Sequence, residues 1–254
     1  MKIRCSHVKT ISILLVLSHL FSACAIQKQT LHQTDLENAY HNAVKDDLEN
    51  AYHNAVKDAE KAEPSEISKN LVAIVPSNNN LVWNNKGELL VVTWTDYAGY
   101  DDKIGKSIAL PKDIWITTVP EVKNFCQKLK GTKTLQLKQL LGLPPNDGKT
   151  KFVEMWVKPS DLFRPSADPE ISDGEAETDF RISNKFVKVS DAYIQWFNKL
   201  KMESYGTNGY PWTRLGYTYD WGNDCHHIGL SEFVIIEGAT VKINSISATL
   251  QYCQ

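Results

Sequence analysis

Beyond residue 70 the apolar positions fall into short runs separated by turn-forming clusters, and the period of each run points to an element. Glu88–Thr95 (Glu-Leu-Leu-Val-Val-Thr-Trp-Thr) is β-branched and aromatic, which predicts a buried strand. Ile114–Val119 predicts a second strand and Lys151–Val157 a third. After Pro120, positions 122, 125, 126 and 129 share one helical face, so a helix carries Cys126 into the core. Leu135–Leu141 predicts a short helix stopped by Gly142 and Pro144-Pro145. Ser190–Met202 opens on a capping Ser or Asp and lines up Tyr193, Phe197 and Leu200, again a helix. Ser231–Ile236 and Thr240–Ile246 flank Gly238 and predict a hairpin. Leu71–Val75 is a short apolar run closed by the turn cluster Pro76–Asn80. With no regular βαβ rhythm, the sequence predicts an α+β domain over 67–254, with a largely antiparallel sheet and a few short helices.

The segment before it has a different pattern. Asp35–Asp46 (Asp-Leu-Glu-Asn-Ala-Tyr-His-Asn-Ala-Val-Lys-Asp) recurs unchanged as Asp47–Asp58, a tandem repeat of 12 residues without Gly or Pro. Such a composition is helical. A step of 12 residues turns the apolar stripe by about 120°, so the two copies do not share a face and no coiled-coil seam forms. Residues 24–66 therefore read as a spacer helix, or stalk, ended by Pro64.

The first 23 residues hold Lys2, Arg4 and Lys9, no acidic residue, the apolar run Ile11–Phe21 and the small pair Ser22-Ala23. That order describes a secretory signal peptide, and the run is too short for a membrane span. Leu20-Phe21-Ser22-Ala23-Cys24 resembles the lipobox of bacterial lipoproteins. The resemblance implies cleavage after Ala23, lipidation of Cys24, membrane attachment through that lipid, and a place in the cell envelope. Because Ala25 rather than Asp follows the cysteine, it further implies the outer membrane or cell surface. Conversion of Cys24 to Ser is then expected to abolish acylation and leave uncleaved precursor.

Loss of the leader would remove three positive charges, taking the net charge from -2 to -5. A mildly acidic chain without a basic patch argues against nucleic acid as a partner. Cys126, Cys225 and Cys253 would then lie in an oxidising compartment. A Cys126–Cys253 disulfide is favoured because it ties down the chain end, with Cys225–Cys253 as the alternative.

Candidate chemistry concentrates in Tyr205–Trp221, which holds six aromatic residues, three glycines and Arg214. Trp212, Arg214, Tyr217, Tyr219 and Trp221 are candidate ligand-binding residues, since aromatic faces stack on rings. Trp212→Ala is then expected to weaken binding while leaving the fold largely intact. The competing expectation is that Trp212, Tyr217 and Tyr219 pack the core. This stretch also resembles a signature of exported bacterial proteins of unknown role, which brings no activity with it. Asp224-Cys225-His226-His227 puts four possible ligands side by side, but adjacent side chains diverge, so no metal site is expected from that run. Asp168–Asp179 carries six carboxylates without EF-hand spacing and reads as a solvated acidic loop, open at most to loose calcium binding.

A second, enzymatic resemblance lies at the C-terminal hairpin. Glu232-Phe-Val-Ile-Ile-Glu-Gly238-Ala-Thr-Val-Lys-Ile243 is similar to the closing hairpin of bacterial ADP-ribosyltransferase toxins. The resemblance implies NAD as cofactor, with Glu232 orienting the nicotinamide ribose, Arg164 holding the phosphates and Thr218 supplying a hydroxyl. Leu230 stands where the family has an acidic residue or glutamine. No hydrolase elbow, phosphate loop or dinucleotide fingerprint is present. The favoured expectation is a lipid-anchored domain that binds a ligand or partner through Tyr205–Trp221; the enzyme is the alternative.

Overall fold

A computed structural model of the protein describes residues 36–183, 188–223 and 225–254. The leader, Cys24 and the start of the stalk lie outside those residues. The chain divides after Asn50 into two compact units. In the first, residues 36–50 are helical and largely exposed, with Lys45 and Glu49 paired one turn apart at 3.8 Å.

The second unit, residues 51–254, begins inside the second repeat copy rather than after residue 66. Residues 51–59 are helical (α1), and Tyr52, Ala55, Val56 and Ala59 are buried. Tyr52 donates to the Gly209 carbonyl at 2.9 Å and sets its ring edge-on to Trp221. The matching Tyr40, Ala43 and Val44 of the first copy face solvent: Tyr40 is 74% exposed and Tyr52 5%. Identical sequences thus differ only in what packs on them. Val56→Ala is expected to cost roughly 1–2 kcal/mol, whereas Val44→Ala stays within about 0.5 kcal/mol, as paired denaturation curves would measure.

Nine strands and five further helices follow among the described residues: β1 (Leu89–Thr95), β2 (Ser107–Ala109), β3 (Ile114–Thr118), α2 (Val119–Lys128), α3 (Lys133–Leu140), β4 (Lys151–Val157), β5 (Leu162–Phe163), α4 (Phe180–Ser183), α5 (Asp191–Ser204), β6 (Tyr217–Tyr219), β7 (Ile228–Ser231), β8 (Phe233–Ile235), β9 (Thr240–Ala248) and α6 (Thr249–Tyr252). Seven strands form one antiparallel sheet in the order β2-β9-β4-β1-β3-β8-β5, and β6-β7 form a small second sheet. The fold is α+β, as the interspersed strand and helix patterns predict. Ser190 caps α5 by accepting from the Tyr193 N–H.

Alternation along the central strands separates two cores. Leu89, Val91, Val153, Met155 and Val157 join Phe233, Ile235 and Ile243 on one face. Leu90, Val92, Trp94 and Phe152 join Val122, Cys126, Leu137 and Tyr252 on the other, beneath α2, α3 and α6. Cys126 and Cys253 are disulfide-bonded there, with Cα atoms 5.1 Å apart, and Cys225 is free and exposed. Because this link closes a segment of 127 residues, the double Cys→Ser variant is expected to lose about 2–4 kcal/mol in denaturant titrations.

The expected hairpin does not form. β8 pairs with β3 and β5, whereas β9 pairs with β2 and β4. Gly238 does turn the chain, at φ +81°. The turn's backbone, however, bonds sideways: Ile236 N–H donates to Asp161, and Gly238 N–H to Leu110. The chain therefore crosses the end of the sheet, and three strands, β4, β1 and β3, lie between β8 and β9.

Candidate functional site: a cavity on one face of the sheet

The register places the site. Val92 faces Thr117 across β1 and β3, so Thr117 shares the face of Val92 and Trp94. Trp115, two positions earlier, joins them and lies opposite Val234. Glu232 stands two positions before Val234, at the junction where the chain leaves the small sheet and enters the large one; its N–H donates to the Gly216 carbonyl at 2.9 Å.

Above this floor is a cavity of about 960 Å³. Leu141–Leu143, which follow α3, border it on one side; Leu200 and Ser204 of α5 and Tyr210–Trp212 border it on another. Tyr97 and Tyr210, each about half exposed (57% and 49%), stand on the lining where solvent reaches it. The volume lies at the upper end of the range for small-molecule sites, and the lining has the usual apolar and aromatic majority.

Most polar groups along the lining are already engaged. Asp113 accepts from Trp196 Nε1 and from the Glu237 N–H, both at 2.8 Å. Lys149 pairs with Asp147 at 3.0 Å. The Thr218 hydroxyl donates to the Leu140 carbonyl and accepts from the Leu230 N–H. Trp94 and Trp212 donate to Thr249 and to the Pro165 carbonyl. Among the described residues, the Glu232 carboxyl and the Trp115 indole N–H carry no hydrogen bond. They are unengaged polar groups positioned to meet a ligand, together with lining hydroxyls such as that of Thr117.

Burial pushes the Glu232 carboxyl up to about 8, so a large neutral fraction exists near neutral pH. Glu121, which accepts from the Thr118 hydroxyl, is pushed by burial to about 7. Both groups are held above their ordinary values in the fold, so the folded chain binds more protons than the unfolded one. Their stabilisation is complete below about pH 4.5 and is lost as pH rises through 7 to 8. Glu232→Gln is expected to flatten that decline and to exceed the parent's stability at pH 9 by on the order of 1–2 kcal/mol, read from urea midpoints against pH.

The sequence candidates divide. Trp212 lines the cavity but is only 5% exposed, its ring set against Trp115, Trp196 and Phe197. Arg214 is buried, donates to the Ala59 and Glu60 carbonyls and lies over the Tyr205 ring; it is non-glycine at φ 60°, held by those contacts. Tyr217 is fully buried and donates to the Glu66 carbonyl. Trp221 is buried and donates to the Leu143 carbonyl. Tyr219 lines the cavity and donates to Asp58. This cluster chiefly joins α1 and the chain after it to the rest of the unit.

Glu232 and Thr218 both line the cavity, but Arg164 does not. Its guanidinium is fully buried and engaged by Asp173 and by the Val72, Asp173 and Glu175 carbonyls. The three residues of the NAD-using alternative therefore do not share the cavity: Arg164 packs beside Gly216 and Phe233 but spends its guanidinium on the acidic loop, and the hairpin that suggested the alternative is absent. Asp173 likewise corrects the picture of a wholly solvated acidic loop, and Asp168 is buried. Of Asp224–His227, Asp224 lies outside the described residues; Cys225 and His226 are exposed and His227 is partly buried.

Trp94, Trp115 and Thr117 escaped notice because they sit in runs whose strand character alone explains them. The available signal was Trp115 in Ile114-Trp-Ile-Thr-Thr118: bulky residues alternate onto both faces, so both faces must be covered or must face a cavity. No family model matches the chain, and no curated protein or solved structure is significantly similar to it. Among the described residues no helix is long and apolar enough to cross a membrane.

Proposed function

We propose that residues 51–254 form a small-molecule-binding domain whose ligand is an uncharged, largely apolar, ring-bearing compound held over β1 and β3. The observation that carries this reading is the aromatic cavity with the unengaged Glu232 carboxyl and Trp115 indole N–H in its lining. At neutral pH both can donate a hydrogen bond, the first through its protonated carboxyl, so the ligand would present an acceptor to them. Its apolar body would take the place of water against Val92, Trp94 and Leu143. The lipobox-like leader supports an exported, lipid-anchored setting, in which residues 24–50 would hold the binding unit away from a membrane.

Titration with neutral N-phenyl-1-naphthylamine, followed by its fluorescence, tests the reading. Saturable 1:1 binding is expected at pH 6.5, weakening several-fold at pH 9 as Glu232 ionises. Glu232→Gln should remove the pH dependence and retain binding. Linear, non-saturating fluorescence at both pH values would contradict the proposal.

A further inference from the structure

A separate feature lies where the chain after α1 meets the small sheet. Asp58, near the C-terminal end of α1, Glu66, in the 3-10 turn Pro64–Glu66, and His227, just before β7, bring their ligand atoms within 4.8 Å of one another. His227 Nε2 stands 3.4 Å from Glu66 Oε1. Two ligands bonded at 2.0–2.1 Å to one tetrahedral ion are separated by about 3.3–3.4 Å, so this spacing is that of a coordination edge. The chain around 58–66 and the distant segment at 227 thus converge, which adjacent ligands in the Asp224–His227 run could not do by themselves.

The surroundings orient the ligands. Tyr219 donates from its hydroxyl to Asp58 Oδ2 at 2.8 Å, and its ring stacks on the His227 imidazole at 4.7 Å and 11°. Tyr217 donates to the Glu66 backbone carbonyl at 2.9 Å and fixes the turn that presents the Glu66 side chain. Partners of this kind set ligand orientation in metal sites. Among the described residues no lysine or arginine lies within ion-pair distance of Asp58 or Glu66, so His227 alone is there to offset two gathered carboxylates.

We propose that Asp58, Glu66 and His227 bind a divalent cation of the zinc type, with a fourth position left for water. The imidazole selects against calcium and magnesium, which take oxygen ligands, and in favour of Zn²⁺ or Co²⁺. The ion ties residues 58–66 to the loop before β7, and Tyr219 links it to the cavity lining. The site does not depend on the cavity's having a ligand.

The test is Co²⁺ and Zn²⁺ titration of the untagged protein, with Co²⁺ read by visible absorption and Zn²⁺ by calorimetry. One ion per chain is expected, with the d–d bands of a four-coordinate site and a higher Tm in Zn²⁺. His227→Gln, Asp58→Asn and Glu66→Gln should each weaken binding at least tenfold while circular dichroism stays unchanged. His226→Gln and Cys225→Ser should bind like the parent. Absence of saturable binding, or loss of binding in His226→Gln or Cys225→Ser, would overturn the site. Should any of the three ligand variants misfold, Tyr219→Phe provides a further arm: it is expected to weaken binding a few-fold, and unchanged affinity counts against the proposal.

Discussion

Arg164→Met is expected to destabilise the protein by about 3–5 kcal/mol, with Arg164→Lys intermediate. The side chain is fully buried, and its planar fork satisfies four acceptors: Asp173 Oδ1 at 2.7 Å, the Glu175 carbonyl at 2.5 Å, the Asp173 carbonyl at 2.8 Å and the Val72 carbonyl at 3.3 Å. Methionine would fill much of the volume but leave those acceptors without a donor, and each lost partner in a dry site carries a desolvation penalty. Lysine would keep the charge without the fork. The stem of Arg164 also leaves no room beside it: a Cβ on Gly216 would stand 2.5 Å from Arg164 Cδ, and Gly216 adopts φ +74°. Urea denaturation measures the effect. An Arg164→Met protein as stable as the parent would show that the arginine is not the post that joins the extended chain at Val72 to the acidic loop.

Trp212→Ala carries a comparable expected loss, about 3–5 kcal/mol. Its ring sits among Phe197 at 4.9 Å, Trp115 at 6.1 Å and Trp196 at 6.2 Å, and its indole N–H donates to the Pro165 carbonyl at 3.1 Å. Truncation would remove the centre of the aromatic contact between α5 and the sheet and leave that carbonyl without its donor. The expectation that this substitution spares the fold is therefore replaced by its opposite. A Trp212→Ala midpoint within 0.5 kcal/mol of the parent would restore Trp212 as a ligand contact with little structural duty. Trp115, whose indole N–H is unengaged, is the aromatic residue better suited to report binding.

The elements that could be read from the sequence are those in which one local pattern decides the outcome. Leu89–Thr95 and Lys151–Val157 have β-branched and aromatic residues in stretches long enough to fix strand character, and Ser190 supplies a cap whose chemistry acts within three residues. What could not be read depends on partners far away in sequence. Gly238 signals a turn but not which strands will flank it, and the intervening β4, β1 and β3 come from earlier in the chain. The two repeat copies make the same point most simply, since Val44 is 39% exposed and Val56 5% with identical neighbours in sequence. Glu232 was singled out through a hairpin that does not exist, yet it lines the cavity because alternation from Val234 brings it to that face. Arg164 was singled out through the same resemblance, as a phosphate holder; in the fold it is buried and its fork is occupied by Asp173 and three backbone carbonyls. The aromatic density of Tyr205–Trp221 marked a real centre of packing, and only its edge, at Tyr210–Trp212 and Tyr219, reaches the cavity.

The most direct measurement is N-phenyl-1-naphthylamine binding to the parent and to Thr117→Phe at pH 6.5. Thr117 stands on the cavity floor opposite Val92, so a phenyl ring there occupies ligand space without disturbing Arg164, the Trp212 cluster or the disulfide. The account predicts saturable binding to the parent and at least a tenfold loss in the variant, with Tm within a few degrees of the parent. Equal affinity in the two proteins, at matched Tm, would place the probe elsewhere and contradict the cavity as the binding site.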